Sequence, residues 1–136
     1  MIVIDAGVML ALVLPDEPEN YEYAERVLSH AHGNGVQLVA PRIITAEITY
    51  KLLKHGRHAR WGETKTAELA EFLDMVPLRM FTVTSSMAGI VRYAWRHNVQ
   101  GYDAQYVALA DHFKAPIATL DRGLISAART MNLKLA

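Results

Sequence analysis

The sequence contains no cysteine. This absence excludes disulfides, thiolate metal sites and cysteine nucleophiles, and it is compatible with a reducing compartment. Excess charge of one sign is absent too, because 14 basic residues balance 14 acidic ones. Net charge therefore provides no basis for binding nucleic acid or a membrane surface. Any anion-binding surface must be local.

A long uninterrupted hydrophobic run is also missing. The most apolar stretch, residues 1–14, is too short to span a bilayer and contains Asp5. No basic segment precedes it, and Pro15 and an acidic turn at 16–20 follow in place of a cleavage site. We therefore expect a cytoplasmic protein without membrane association. The 136 residues, 51% of them hydrophobic, predict a single domain over residues 1–136.

Short apolar segments alternate with segments of helical spacing along the chain. The segments with the character of buried strands are 1–5, 36–40, 78–83 and 117–120, with a short terminal strand at 132–136. Helices are predicted at 6–14, 19–31, 63–75, from Pro41 to a stop at Gly56, and after residues 84–86, Asp103 and Asp121. This alternation predicts an α/β domain with a mainly parallel sheet.

The helix after residues 84–86 provides a specific packing prediction. We expect Thr84, Ser85 or Ser86 to cap it. Its inner face is expected to consist of Met87, Ile90, Val91 and Ala94.

Three aspartates lie where a predicted element begins or ends. Asp5 closes the first strand, Asp103 opens a helix, and Asp121 follows a strand directly. Helix capping accounts for each, because an Asp oxygen accepts a hydrogen bond from a free amide of the first turn. Asp5 would also lie at the carboxyl end of a strand, where ligands bind in parallel sheets.

Asp103 has a further property that capping does not explain. It lies three and four residues before Tyr106 and Val107, on the apolar stripe expected to face inward. A carboxylate at the edge of the core needs a partner. A metal ion would be one.

Glu47 lies between Ile43 and Ile44 on one face of the helix predicted to start at Pro41. It forms either a surface pair with Lys51, at i,i+4 spacing, or part of a shared acidic site. The run 51–65 holds five Lys or Arg residues together with Trp61. Such a run could follow an RNA backbone, or its cations could simply favour the end of a helix. The candidate substrate-binding residues within it are Lys51, Lys54 and Arg57.

Asp5, Glu47, Asp103 and Asp121 are the four candidate acids. If they met at the ends of the strands, they would repel each other strongly at neutral pH. Mg²⁺ or Mn²⁺ would neutralise them, and either ion can activate water for attack on a phosphodiester. The spacing leaves open whether the four converge.

Three segments of the chain resemble the PIN-domain ribonucleases, in particular the VapC toxins of type II toxin–antitoxin systems. They are VIDAGVMLALVLPDEP at 3–18, APRIITAEITYKLLK at 40–54 and YDAQYVALADHFKAPIATLDRGLISAA at 102–128. The resemblance implies a PIN-like three-layer α/β/α sandwich and cleavage of RNA that depends on Mg²⁺ or Mn²⁺. It also implies homodimers, and inhibition by a VapB-like antitoxin whose tail covers the active site.

The resemblance assigns roles to individual residues. It makes Asp5, Glu47, Asp103 and Asp121 metal ligands and positioners of the attacking water, and Thr119 a hydroxyl that supports the site. The family usually has Ser, Thr or Asn two residues after the first Asp, where this chain has Gly7. We expect water to replace the missing side chain, the fold to tolerate the change, and activity to be lower.

Other functions account for parts of the pattern. A PIN-like domain that binds RNA or protein without cleaving is favoured by Gly7 and disfavoured by the four retained acids. A housekeeping RNA-processing nuclease is a further alternative, which an adjacent antitoxin gene would distinguish from a toxin. A response-regulator-like phosphotransfer domain is set aside, because Asp5 has no acidic neighbour and Arg122, not lysine, follows Asp121.

Overall fold

Strands and helices alternate along the chain in the computed structural model, which describes residues 1–15, 17–83 and 86–136. The strands are β1 (Ile2–Ile4), β2 (Leu38–Pro41), β3 (Leu78–Phe81) and β4 (Ile117–Ala118). The helices are α1 (Ala6–Ala11), α2 (Pro18–Gly33), α3 (Ile43–His58), α4 (Gly62–Asp74), α5 (Met87–His97), α6 (Gly101–Phe113) and α7 (Arg122–Thr130). None of these helices combines the length and the apolarity needed to cross a bilayer.

The sheet is parallel throughout and has the strand order β3-β2-β1-β4. Parallel neighbours need crossover connections, and here helices supply them and flank the sheet. Strands β1, β2 and β4 are fully buried, whereas the edge strand β3 is partly exposed. The prediction of an α/β/α sandwich around a mainly parallel sheet is confirmed. The predicted terminal strand is reduced to one bridge, between Leu135 and Ile117.

Helix α6 is the element that brings the later part of the chain to the sheet. It packs against β1, β2 and β4, and it buries Tyr106, Val107 and Ala110 in the core. Helix α1 packs against α2 and α3. Helix α1 follows the carboxyl end of β1 and helix α7 follows that of β4, with Asp5 and Asp121 at the two junctions.

The predicted bounds of α3 are wrong at both ends. Pro41 is the last residue of β2, and α3 continues past Gly56 to His58. Gly56 is buried within the helix because α4 approaches it closely: a Cβ atom there would lie 2.5 Å from Oγ1 of Thr66. A tertiary contact therefore explains this glycine, and helix termination does not.

Helix α5 confirms its predicted start, and its predicted inner face is wrong for Met87 and Val91, whereas Ile90 and Ala94 are partly buried. Ser86 caps the helix, its Oγ accepting a hydrogen bond from the Gly89 amide at 3.0 Å. Met87 and Val91 are 89% and 63% exposed, because α5 rests against α6 rather than under the core. Asp16, from the predicted acidic turn, and Thr84 and Ser85, the other candidate caps, lie outside the described residues.

The close approach of α3 and α4 makes a stability prediction. Gly56→Ala should lower the free energy of unfolding by about 1 kcal/mol, because overpacking of about 1–3 kcal/mol exceeds the gain of up to about 1 kcal/mol in helix propensity. The Thr66 hydroxyl that obstructs the new methyl group is held by a hydrogen bond to the Gly62 carbonyl, 2.7 Å away. Urea unfolding would measure the difference.

The control is the same substitution in a Thr66→Ala background. There the nearest remaining atom is Thr66 Cβ, at 3.4 Å, which is an ordinary contact. Gly56→Ala should then become stabilising through helix propensity alone. A loss of stability of the same size in both backgrounds would contradict the steric explanation.

Candidate active site

Asp5 lies at the carboxyl end of the central strand β1 and caps α1. Its Oδ1 accepts a hydrogen bond from the Val8 amide at 2.8 Å, and its Oδ2 accepts one from the Thr119 hydroxyl. The residue is only 6% exposed. Burial raises the pKa of Asp5, and the hydrogen bonds from Thr119 and Val8 oppose this shift. The capping interpretation is confirmed, and the carboxylate is also fixed at the edge of the sheet.

Thr119 connects Asp5 to Asp121. While its hydroxyl donates to Asp5, the same oxygen accepts a hydrogen bond from the Asp121 amide at 3.0 Å. Asp121 itself caps α7, with Oδ1 accepting from the Leu124 amide at 2.7 Å, and its side chain is exposed. Because β1 and β4 are neighbours in the sheet, one buried hydroxyl holds two of the candidate acids in a fixed relation.

Asp103 does not cap its helix, so that interpretation is wrong. Helix α6 begins at Gly101 with Gln100 as its N-cap residue, which places Asp103 in the first turn. Burial raises the pKa of Asp103 to about 6, and the negative charges of Asp121, Glu47 and Asp5 contribute in that order. The fold therefore brings the four candidate acids within electrostatic range of one another.

Glu47, on α3, is partly buried, and a residue of α6 holds its carboxylate. Its Oε1 accepts a hydrogen bond from the Tyr106 hydroxyl at 2.8 Å. No ion pair joins Glu47 to Lys51, both of which are described residues, so the surface-pair interpretation is wrong. Glu47 points towards α6 and the other acids.

The four acids do not form a ready-made metal centre. Over residues 1–15, 17–83 and 86–136, no group of three or more His, Asp or Glu side chains is close enough to hold an ion together. Mg²⁺ usually keeps several waters and binds through one or two carboxylates, so three direct protein ligands are not required. An all-carboxylate set with mutual repulsion fits a hard divalent cation.

The three predicted substrate-binding cations lie in different surroundings. The charge of Lys51 lowers the pKa values of Asp5 and Asp103, so Lys51 lies beside the acids. Lys54 is exposed, and Arg57 lines a groove between α3 and α4. Trp61, the aromatic residue of the basic run, contacts a cation of the same run, because Lys65 Nζ lies 4.4 Å from the centre of its ring.

Two tyrosines that sequence reasoning missed contribute to the site. Tyr106, expected only as an apolar core residue, is 1% exposed and bonds to Glu47. The Tyr23 hydroxyl donates to the Ala136 carbonyl at 2.9 Å and lies close to the backbone of Thr119. A buried tyrosine hydroxyl needs a partner, so the position of Tyr106 one turn after Asp103 was the available signal.

This chain belongs to the PIN-domain family, whose model matches residues 2–130. It is 31% identical to Ribonuclease VapC3 of Pyrobaculum aerophilum, over 90% of this chain and 91% of that protein. It is 34% identical to Ribonuclease VapC1 of Mycobacterium tuberculosis, over 65% of each. The solved structure of PAE2754 from Pyrobaculum aerophilum matches the fold with a TM-score of 0.66 and 21% identity, covering 93% of this chain and 83% of that one. The resemblance to VapC-type PIN domains is confirmed.

The environment of Asp103 makes a prediction about stability and pH. Its pKa is raised from 3.8 to about 6, so the folded protein holds this proton more tightly than the unfolded chain does. The stability that protonation contributes is complete below about pH 3.8 and is lost as the pH rises through about 6. Urea unfolding in chelator should therefore show that Asp103→Asn flattens the fall in stability between about pH 3.8 and about pH 6.

A matched control for this measurement lies on the same helix. Asp111 is on α6 as well, but it pairs with Lys114 at 2.8 Å and its side chain is 46% exposed. Asp111→Asn should keep the pH dependence of the wild-type protein. An Asp103→Asn variant with an unchanged pH dependence would contradict the electrostatic account of the site.

Proposed function

We propose that this protein is a metal-dependent endoribonuclease of the VapC toxin type, which hydrolyses RNA phosphodiester bonds at the four acids. The observation that carries the proposal is the raised pKa of Asp103, caused by burial and by three further carboxylates. A cluster of this kind is costly at neutral pH unless a cation neutralises it. The names of the two curated relatives, both called ribonucleases, support RNA as the substrate.

Each group of the site has a task in the proposed reaction. Asp5, Glu47, Asp103 and Asp121 would hold Mg²⁺, or Mn²⁺ in its place, directly or through its bound waters, and the ion would supply Lewis acidity and neutralise negative charge. Their free oxygens accept hydrogen bonds from the attacking water and orient it towards the phosphorus. Thr119 keeps Asp5 and Asp121 in register. Lys51, the cation beside the acids, is suited to a phosphate of the RNA.

The proposal includes the partners of a VapC toxin. A VapB-like antitoxin would bind and inhibit the protein, and the active form would be a homodimer built from one domain per chain, residues 1–136. The names of the curated relatives, both VapC proteins, support the antitoxin as a partner. Lys54 and Arg57 would contribute to RNA binding away from the acids.

Cleavage of an RNA panel tests the activity. The panel holds structured and single-stranded RNAs, assayed with Mg²⁺, with Mn²⁺ and with chelator. Wild-type protein should cut in either metal and not in chelator. Asp103→Asn should lower kcat at least about 100-fold, because it removes a carboxylate from the metal site and outer-shell changes alone cost about 10–100-fold.

Asp111→Asn serves as the matched control, because it makes the same chemical change on the same helix at a residue paired with Lys114. It should retain full activity. Equal cutting by Asp103→Asn and wild-type protein would reveal a contaminating nuclease. Folded, antitoxin-free protein that cuts no RNA in either metal would count against the endoribonuclease.

Gly7 is the observation that favours a second candidate function, a PIN-like domain that binds RNA or protein with little or no cleavage. A Cβ atom at this position would lie 3.4 Å from Asp5 Oδ1, which is an ordinary contact. A serine therefore fits, and its hydroxyl is close enough to bond to the Asp5 carboxylate or to water at the site. Silent wild-type protein would support the second candidate.

Gly7→Ser should strengthen Mn²⁺ binding and raise the cleavage rate, by up to about 10-fold. The reason is that it restores a hydroxyl beside a metal-site carboxylate. Titration calorimetry with Mn²⁺ and the cleavage assay measure the two effects. Gly7→Ala adds the same Cβ atom without the hydroxyl and should change neither. Unchanged affinity and cleavage in Gly7→Ser would show that the missing hydroxyl has no role here.

A further inference from the structure

The Tyr106 hydroxyl lies at a junction of three helices. The side chain comes from α6, one turn after Asp103, and is 1% exposed. The hydroxyl donates to Oε1 of Glu47 on α3 at 2.8 Å, and the backbone of Ala6, in the first turn of α1, lies close to it. The hydroxyl therefore bonds to one of the four acids, Glu47, and lies near a second, Asp5.

Packing does not account for the hydroxyl. A phenylalanine ring would fill the same buried space, because it differs from tyrosine by one oxygen atom. A buried hydroxyl costs free energy unless it is hydrogen-bonded, so a tyrosine in this position requires partners that the fold has to supply. The partner here is Glu47, a carboxylate of the acid cluster.

Glu47 needs such a partner to have a defined orientation. Its helix packs against α1 and α4, and its long side chain extends from there towards α6. A free glutamate side chain samples several rotamers and loses that freedom only when it is held. The hydrogen bond from Tyr106 fixes one carboxylate oxygen and leaves the other oxygen for a ligand.

We propose that Tyr106 is a positioning residue, whose hydroxyl holds the Glu47 carboxylate beside Asp5 and Asp103 in the orientation that binds the metal ion. This inference rests on the proposed function, because it assumes that Glu47 is a metal ligand. A tyrosine hydroxyl ordinarily ionises only near about pH 10, so Tyr106 stays a donor throughout the range of an assay. Tyr106 is too deeply buried to contact RNA itself.

Tyr106→Phe tests the inference, with Mn²⁺ binding by the RNA-free protein as the first readout. Loss of an outer-shell partner typically costs about 10–100-fold in metal affinity, so we expect binding at least about 10-fold weaker in titration calorimetry. In the cleavage assay, kcat should fall while KM for RNA stays unchanged. Urea unfolding of the metal-free variant verifies that it is folded.

Two further variants separate positioning from a general effect on the fold. Tyr93→Phe is the matched control, because the Tyr93 hydroxyl also lies in a partly buried setting but bonds to Sδ of Met131 at 3.7 Å. It should leave Mn²⁺ binding unchanged. Glu47→Asp keeps the charge but shortens the side chain, so the carboxylate no longer reaches Tyr106. In that background, Tyr106→Phe should weaken binding little further.

The experiment distinguishes failure of this inference from failure of the proposed function. If wild-type protein binds no Mn²⁺, the proposed function fails and the inference fails with it. If wild-type protein binds Mn²⁺ and folded Tyr106→Phe binds it equally well, the inference alone is overturned. Equal losses from Tyr106→Phe in the wild-type and Glu47→Asp backgrounds would also overturn it, because the effect would then not pass through Glu47.

Discussion

Repulsion between carboxylates at the carboxyl edge of the parallel sheet is the constraint on which the site depends. Asp5 and Asp121 come there from the ends of adjacent strands, and Glu47 and Asp103 approach from α3 and α6. Burial and the other three acids together raise the pKa of Asp103 to about 6, and the charge of Lys51 opposes them. The fold thus assembles negative charge that its own lysine offsets only in part, which is the arrangement that a bound cation would relieve.

Neutral donors hold this charge in place without neutralising it. The amides of Val8 and Leu124 and the hydroxyls of Thr119 and Tyr106 each bond to a carboxylate of the cluster. A hydrogen bond to an ionised group is typically worth about 1.5–3 kcal/mol, so these bonds offset part of the cost of repulsion and burial. They also fix rotamers, which makes the acids a preorganised set when a ligand arrives.

The parts of the site that follow from local pattern were predictable from the sequence, and those that follow from tertiary contacts were not. Asp5 and Asp121 stand at strand-to-helix junctions, and such junctions are visible as a change in hydrophobic spacing. The partner of Tyr106 is 59 residues away in the chain, and no spacing rule encodes that contact. Gly56 was misread for the same reason, since a glycine that ends a helix and one that admits a neighbouring helix look alike in sequence. Asp103 was misplaced because Gln100 makes no side-chain cap, so α6 begins without the usual signal.

For Asp5 and Asp121, capping a helix and binding a ligand are compatible roles in this geometry. Each capping oxygen uses one of its lone pairs on an amide of the first turn, and Oδ2 of Asp121 makes no cap bond. A helix N-terminus stabilises a nearby negative charge by about 0.3–1 kcal/mol, and Asp103 gains the same effect in the first turn of α6. The helix starts therefore lower the cost of gathering acids at one edge of the sheet. This contribution is small beside the combined effect of burial and repulsion, which raises the pKa of Asp103 to about 6, so a bound cation would still stabilise the cluster.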